Sequence, residues 1–317
     1  MRPTHRDPQS TRTVVMVRPV RFGANPETLA SNSFQSPAVP RDDFNQAAQR
    51  EFDALAAALQ AAGVQIQAFD DTPDPHTPDS LFPNNWFSTH ADGTVVLYPL
   101  CAANRRAERR LELLDSLRAA GFICTRLVDL SAHELDGRFL EGTGSLVLDR
   151  ARREAYACLS ARTDARLLAT WADELGYEVI AFHAQDAGGH AVYHTNVLMC
   201  IGTGFAIACL DAIRDPTERA RVRERLVAGG RELVPISLDQ LGSFAGNVLE
   251  VLSQDGSNVL AMSDRARATL EHAQLATLAR HARIVASPIP TIEAAGGGSV
   301  RCMLAEVFLP RTEGRDA

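Results

Sequence analysis

Apolar residues along this chain fall into short runs of two distinct periodicities. TVVMVRPV (13–20) is nearly continuous in hydrophobicity, the pattern of a strand buried on both faces. DFNQAAQREFDALAAALQAAG (43–63) spaces its apolar residues three and four apart and ends in glycine, which predicts a helix. VQIQAFD (64–70) predicts a strand. After a Pro/Asp-rich loop, LFPNNWFST and TVVLYPL predict a hairpin turning at Asp92-Gly93. A helix over 105–121 and a strand FICTRLVDL (122–130) follow.

The same order then recurs. GRFLEGTGSLVLDR (137–150) and REAYACLS predict paired strands, 162–176 a helix, and EVIAFHA a strand. AVYHTNVLMCIG and GFAIACL flank Gly202-Thr203-Gly204 as a second hairpin, followed by a helix over 214–228 and the strand LVPIS. GNVLEVLS and SNVLAMS fold at Asp255-Gly256, helical segments span 263–282, and RIVASP leads to the closing GGGSVRCMLAEVFLP. Strand, hairpin and helix thus repeat about five times, at intervals of roughly 50–60 residues. Hairpins interrupt each unit, so a doubly wound sheet is not expected, and no GxGxxG or GxxxxGK loop is present. The pattern predicts one closed, pseudo-symmetric α/β domain over 13–311, with strand ends converging on a central site. Residues 1–12 read as a disordered lead-in and 312–317 as a C-terminal tail.

Composition narrows the function. The 317 residues are 45% hydrophobic, enough for a large core. A net charge of −7 argues against nucleic acid as a partner, because phosphate contacts need clustered Lys and Arg. The one basic run is NRRAERR (104–110). No apolar run approaches the ~18–20 residues of a membrane span, and MRPTHRDPQSTRT lacks the apolar stretch of a signal peptide. Cysteines 101, 124, 158, 200, 209 and 302 form neither a CxxC pair nor a His/Cys cluster, so no metal site is expected. A reduced, cytoplasmic location is the default. The partner expected is a small molecule, and a homo-oligomer is compatible with the composition.

Four positions carry candidate chemistry. Cys302 follows three glycines (296–298) that permit close backbone approach, and Arg301 beside it would favour a thiolate nucleophile; a core cysteine behind a flexible turn is the competing reading. His194 in GGHAVYHTNVLMC suits a general acid/base or a structural histidine, and His190 on the same face of an extended strand leaves the base ambiguous. Glu141 in FLEGTGSL sits where a strand bends beside glycines, as a ligand-facing or a solvent-facing carboxylate. Asn84 and Asn85 follow Pro83 in LFPNNWFSTH, awkward residues for a strand unless their amides bind something. Cysteine, histidine and carboxylate in equivalent hairpins form a nucleophile, acid/base and orienting set.

With these residues the chain resembles the guanidino-group-modifying superfamily of arginine deiminases, dimethylarginine hydrolases and amidinotransferases. That resemblance runs from MVRP (16–19) to the terminal strand and implies the pentein fold, a five-fold pseudo-symmetric α/β propeller. It implies Cys302 as nucleophile, His194 as acid/base and Glu141 of LEGTG as the superfamily glutamate. Arg105 of NRRAE, with Arg106 next to it, is implied to grip the substrate α-carboxylate. The chain departs from the superfamily where carboxylates flank a guanidinium: Asn84-Asn85 replaces an Arg-Asp or Glu-Asp pair, and His194-Thr195-Asn196 replaces the His-x-Asp of arginine deiminases. A guanidinium is a cation with donors and no acceptor, whereas a ureido group is neutral and has both. The amides therefore favour a ureido substrate. MVRPVRFGANPETLASNSFQ and FPNNWFSTH are similar to the citrulline hydrolase branch, which implies L-citrulline hydrolysis to L-ornithine, carbon dioxide and ammonia. The expected substrate-binding set is Asn84, Asn85, Asn196, Arg105, Arg106 and Asn247, with no cofactor. An arginine deiminase or amidinotransferase acting on a guanidino substrate, with Asp79 taking over the lost charge, is the nearest alternative; a hydrolase of a related ureido or amide compound is another, and a non-catalytic pentein binding module the one of another class.

Overall fold

The computed structural model describes residues 7–29, 31–36 and 44–312. Among these, fifteen strands form five three-stranded sheets. The strands are β1 (Thr13–Arg18), β2 (Gln65–Asp70), β3 (Phe87–Thr89), β4 (Thr94–Leu97) and β5 (Arg126–Asp129). They continue as β6 (Leu146–Asp149), β7 (Glu154–Cys158), β8 (Glu178–Phe182), β9 (Met199–Ile201) and β10 (Phe205–Ala208). The last five are β11 (Glu232–Pro235), β12 (Leu249–Leu252), β13 (Asn258–Ser263), β14 (Arg283–Ser287) and β15 (Ala305–Val307). In the sheets built on β4, β7, β10 and β13, the middle strand is antiparallel to the strand before it and parallel to the strand after it. The fifth sheet has the order β15-β1-β2, so both ends of the fold meet in it, with Thr13 opposite Val307.

A parallel neighbour requires a crossover, and a helix supplies it in each unit. These are α1 (Phe44–Ala61), α2 (Glu112–Ala119), α3 (Ala165–Leu175), α4 (Pro216–Ala228) and α5 (His272–His281). α3 shows why the sequence stops and starts there. Asp164 caps it by accepting the N–H groups of Arg166 and Leu167, Gly176 ends it at φ +69°, and Leu167, Leu168, Trp171 and Leu175 bury one face. The middle strands β4, β7 and β10 are buried at every position, Glu154 at the start of β7 included, and are otherwise almost wholly apolar.

Two expectations change. The lead-in predicted to be disordered is anchored from Gln9 onward. Gln9 Nε2 donates to the carbonyls of Leu148 and Ile201 at 2.9 and 3.0 Å, Ser10 bonds Glu250 at 2.7 Å, and the Thr11 carbonyl accepts from Leu252 N–H. Residues 1–6 of that lead-in and 313–317 of the tail lie outside the described residues, as does position 43 of the first predicted helix.

The second change concerns the strands predicted to carry the candidate residues, which begin only after them. Helical turns at Pro83–Asn85, Gly142–Ser145, Thr195–Leu198 and Val300–Met303 precede β3, β6, β9 and β15. Buried turns have apolar neighbours on both sides, so hydrophobicity does not separate them from the strands they feed. The helix expected from 105 likewise starts at Glu112, after a 3-10 turn at Ala103–Glu108.

Candidate active site

Cys302 lies on the turn Val300–Met303 and is 3% exposed. Two side-chain amides donate to its sulfur: Asn247 Nδ2 at 3.3 Å and Asn196 Nδ2 at 3.5 Å. Donors aimed at a sulfur stabilise its anionic form. Arg301, expected to do this, turns away: Nη1 donates to the Leu304 carbonyl and Nη2 pairs with Glu306 at 2.8 Å. The turn carrying Asn247 reaches the one carrying Asn196 through Gly246, where a Cβ would lie 2.4 Å from the Val197 carbonyl oxygen. Only glycine permits that approach.

His194 is 1% exposed, and its Nε2 lies 2.8 Å from Glu141 Oε2. An ionised carboxylate only accepts, so Nε2 carries the proton and Nδ1 is the free nitrogen. Burial lowers His194 to about 4 against the upward pull of Glu141, leaving the imidazole neutral at rest. Burial alone would raise Glu141, but Arg162, the His194 hydrogen bond and Arg105 outweigh it and hold this carboxyl well below the usual range. Its second oxygen accepts the backbone N–H of Cys101 at 2.9 Å. A neutral base hydrogen-bonded to a fixed carboxylate is the arrangement of a general acid/base with its orienting group. Among the described residues no three His, Cys, Asp or Glu side chains form a metal-holding group. His190, the alternative base, is exposed and pairs with Asp186 at 3.4 Å.

A narrow pocket opens onto this set, lined among others by Asp79, Asn85, Arg105, Arg162, His194 and Cys302. Arg162 had no motif to announce it and was missed by sequence reasoning. Its Nη1 lies 3.5 Å from Glu141 Oε2, its Nη2 donates to Ser31 at 2.7 Å, and the guanidinium sits 4.9 Å over the Tyr193 ring. Arg105 is buried and doubly bonded to Glu108 at 2.9 Å, with Asp79 at 3.6 Å and Glu141 at 3.8 Å. Burial pushes Glu108 up to about 8 even against the pull of Arg105. The two-oxygen geometry nevertheless requires a carboxylate, which decides for the ionised pair. Arg106 is a correction: it lies outside the pocket, bonded to the Leu100 carbonyl and 3.3 Å from Glu134.

Asp79 Oδ2 accepts from Asn25 at 2.7 Å, while Oδ1 is buried without a partner. Burial raises this carboxyl despite Arg105. Asn84 and Asn85 occupy the turn Pro83–Asn85, so strand alternation does not choose between them. Asn85 lines the pocket, and its Nδ2 donates to Asn84 Oδ1 at 3.2 Å. Asn84 Nδ2 and Asn196 Oδ1 are buried without partners. Gly144 holds the turns together, since a Cβ there would lie 2.5 Å from Asn85 Nδ2 and 2.7 Å from His194 Nδ1.

Residues 18–309 match the family model described as N,N dimethylarginine dimethylhydrolase, eukaryotic. The chain belongs to this family. None of the curated proteins matches it. Among solved structures, this dimethylhydrolase-family chain superposes on apo ArgZ, an arginine dihydrolase of the ornithine-ammonia cycle in cyanobacteria, with a TM-score of 0.73 at 19% identity. That match covers 95% of this chain and 41% of ArgZ. The product-bound N-terminal domain of ArgZ gives 0.72 at 18% identity, covering 95% of this chain and 100% of the domain. A dimethylarginine dimethylaminohydrolase carrying an S-methyl-L-thiocitrulline adduct gives 0.63 at 14%, covering 93% and 99%. The fold is that of the pentein, guanidino-group-modifying superfamily.

Proposed function

We propose that this chain is a cysteine hydrolase of the ureido group of L-citrulline, yielding L-ornithine, carbon dioxide and ammonia. The observation that carries the reading is the neutrality of the groups nearest the nucleophile. Asn196 and Asn247 lie on the Cys302 sulfur, and Asn85 lines the same pocket, where a guanidinium would call for carboxylates. The five sheets of like order, one completed by the last strand, support a closed five-fold propeller with these turns at its centre.

In this mechanism His194 Nδ1 takes the Cys302 thiol proton as the sulfur attacks the ureido carbon. The C=O electron pair moves to oxygen, and collapse expels ammonia with a proton delivered through His194. Water activated by His194 Nδ1 then cleaves the thioester, and the carbamate released loses carbon dioxide to give ornithine. Glu141 keeps His194 in its tautomer. Arg162 and Arg105 take the α-carboxylate, and Asp79 Oδ1 takes the α-ammonium.

A second reading is supported by Asp79 and by the solved relatives. A buried, unpartnered carboxylate oxygen in the pocket also suits a guanidinium, and ArgZ is an arginine dihydrolase. Incubation with citrulline, arginine and N,N-dimethylarginine, followed by ornithine and ammonia assays, separates the readings. Ornithine from citrulline, absent in Cys302→Ala, supports the first. Ornithine from arginine as well supports a two-step dihydrolase. Turnover of arginine or dimethylarginine with no consumption of citrulline overturns the ureido reading.

A further inference from the structure

The Asn84-Asn85 amide pair, of which Asn85 lines the pocket and Asn84 is its fully buried neighbour, has one orientation only, and an arginine sets it. Arg105 Nη1 lies 2.9 Å from the side-chain oxygen of Asn85. A guanidinium has no acceptor, so the atom facing it must be the amide oxygen. Asn85 Nδ2 then faces Asn84, whose oxygen accepts it at 3.2 Å. Both amide oxygens are consumed. What remains is one N–H of Asn85 Nδ2, beside Gly144 and the His194 ring, and the unpartnered Nδ2 of Asn84. Asn84 is fully buried, and its turn packs directly against the turn carrying Cys302. A buried donor without a partner is costly unless a ligand supplies the acceptor.

Arg105 is itself held. Its Nε and Nη2 both donate to Glu108, a 2%-exposed carboxylate that makes no contact with the pocket lining other than through Arg105 among the hydrogen bonds described. The chain of constraint runs from Glu108 through Arg105 to Asn85 and ends on Asn84.

We propose that Glu108 and Arg105 form an orienting relay that locks Asn85 and Asn84 with their N–H groups toward the substrate, making the pair a receptor for a carbonyl oxygen and for the oxyanion formed on it. The inference rests on the ureido reading. When sulfur bonds to the ureido carbon, the C=O π pair moves to oxygen, and two amide N–H groups meet the charge. On collapse the double bond re-forms and the C–N bond breaks. Unpartnered acceptors, Asn196 Oδ1 and Asp79 Oδ1, are left for the substrate's own N–H groups. A guanidinium has no atom that satisfies Asn84 and Asn85 so oriented.

Asn84→Ala, Glu108→Gln and the double variant test this, with kcat and KM for L-citrulline measured beside melting curves. Removing an oxyanion donor lowers kcat by about 100-fold or more, so Asn84→Ala is expected to do that while KM stays within about threefold. In Glu108→Gln the new amide N–H₂ opposes the Arg105 donors and frees Asn85 to turn. Removing Asn84 from that background therefore costs less than tenfold more, a non-additivity that a merely structural Glu108 does not produce. Additive losses overturn the relay, and an Asn84→Ala enzyme with wild-type kcat overturns the oxyanion receptor. Absence of citrulline turnover by the wild type overturns the ureido reading itself, and this inference with it.

Discussion

Glu141→Gln tests the catalytic geometry where it is best defined. The variant keeps size and the acceptor for Cys101 N–H, but sets an amide N–H₂ against the His194 Nε2–H. Two donors face each other, and the ring escapes by moving its proton to Nδ1, the nitrogen the chemistry needs free. The lost electrostatics add to this. For a positive ring 2.8 Å from the carboxylate, an effective dielectric near 20 gives about 6 kcal/mol of stabilisation, which corresponds to about four decades in rate. Loss of the buried aspartate in a Ser-His-Asp triad has an effect of the same order. kcat for citrulline is therefore expected to fall about 10⁴-fold with KM little changed. Nitrogen-15 spectra of the imidazole should report Nε2–H in the wild type and Nδ1–H in the variant. Breaking the buried contacts to Arg162 and Arg105 costs about 3–5 kcal/mol, so melting is followed alongside and rates are compared where both proteins are folded. A folded Glu141→Gln enzyme within tenfold of wild-type kcat, or an Nδ1–H ring in the wild type, would refute the assignment.

Three further outcomes follow from the same geometry. Burial holds folded His194 down to about 4 against an ordinary value of 6.5, so the unfolded chain binds the extra proton first; its contribution is complete above pH 6.5 and is lost as pH falls toward 4, by about 3 kcal/mol. Urea unfolding across pH 4–7 measures this, and His194→Gln should flatten the slope. Gly144→Ala drives a methyl into Asn85 and His194 and is expected to lower kcat about 100-fold, with the 1–3 kcal/mol stability loss, roughly, of an overpacked site; a normal kcat would mean the turns yield. Arg162→Ala should raise KM at least tenfold, whereas Arg106→Ala, on Glu134 outside the pocket, should leave kcat/KM within about twofold; steady-state kinetics on the two variants decide between them.

Local pattern carried a large part of this structure. TVVLYPL, REAYACLS and GFAIACL announced the strands β4, β7 and β10, and the helix predicted over 162–176 contains α3, because burial and capping leave traces in neighbouring residues. Cys302, Glu141 and His194 each had a competing structural reading in isolation and stood out only in combination and through the superfamily resemblance. The turns that hold them were not legible, since a buried helical turn and a buried strand have the same hydrophobicity.

Arg162 and Glu108 were silent because an isolated charged residue in sequence looks like any solvated one, and only the fold reveals that its charge is enclosed. The same holds for the choice between Arg105 and Arg106, adjacent arginines of which one is buried against Glu108 and the other half-exposed on Glu134. Chain order decided which elements form and that the amides replace carboxylates. The direction in which those amides point was decided in three dimensions, by an arginine twenty residues away that is able only to donate.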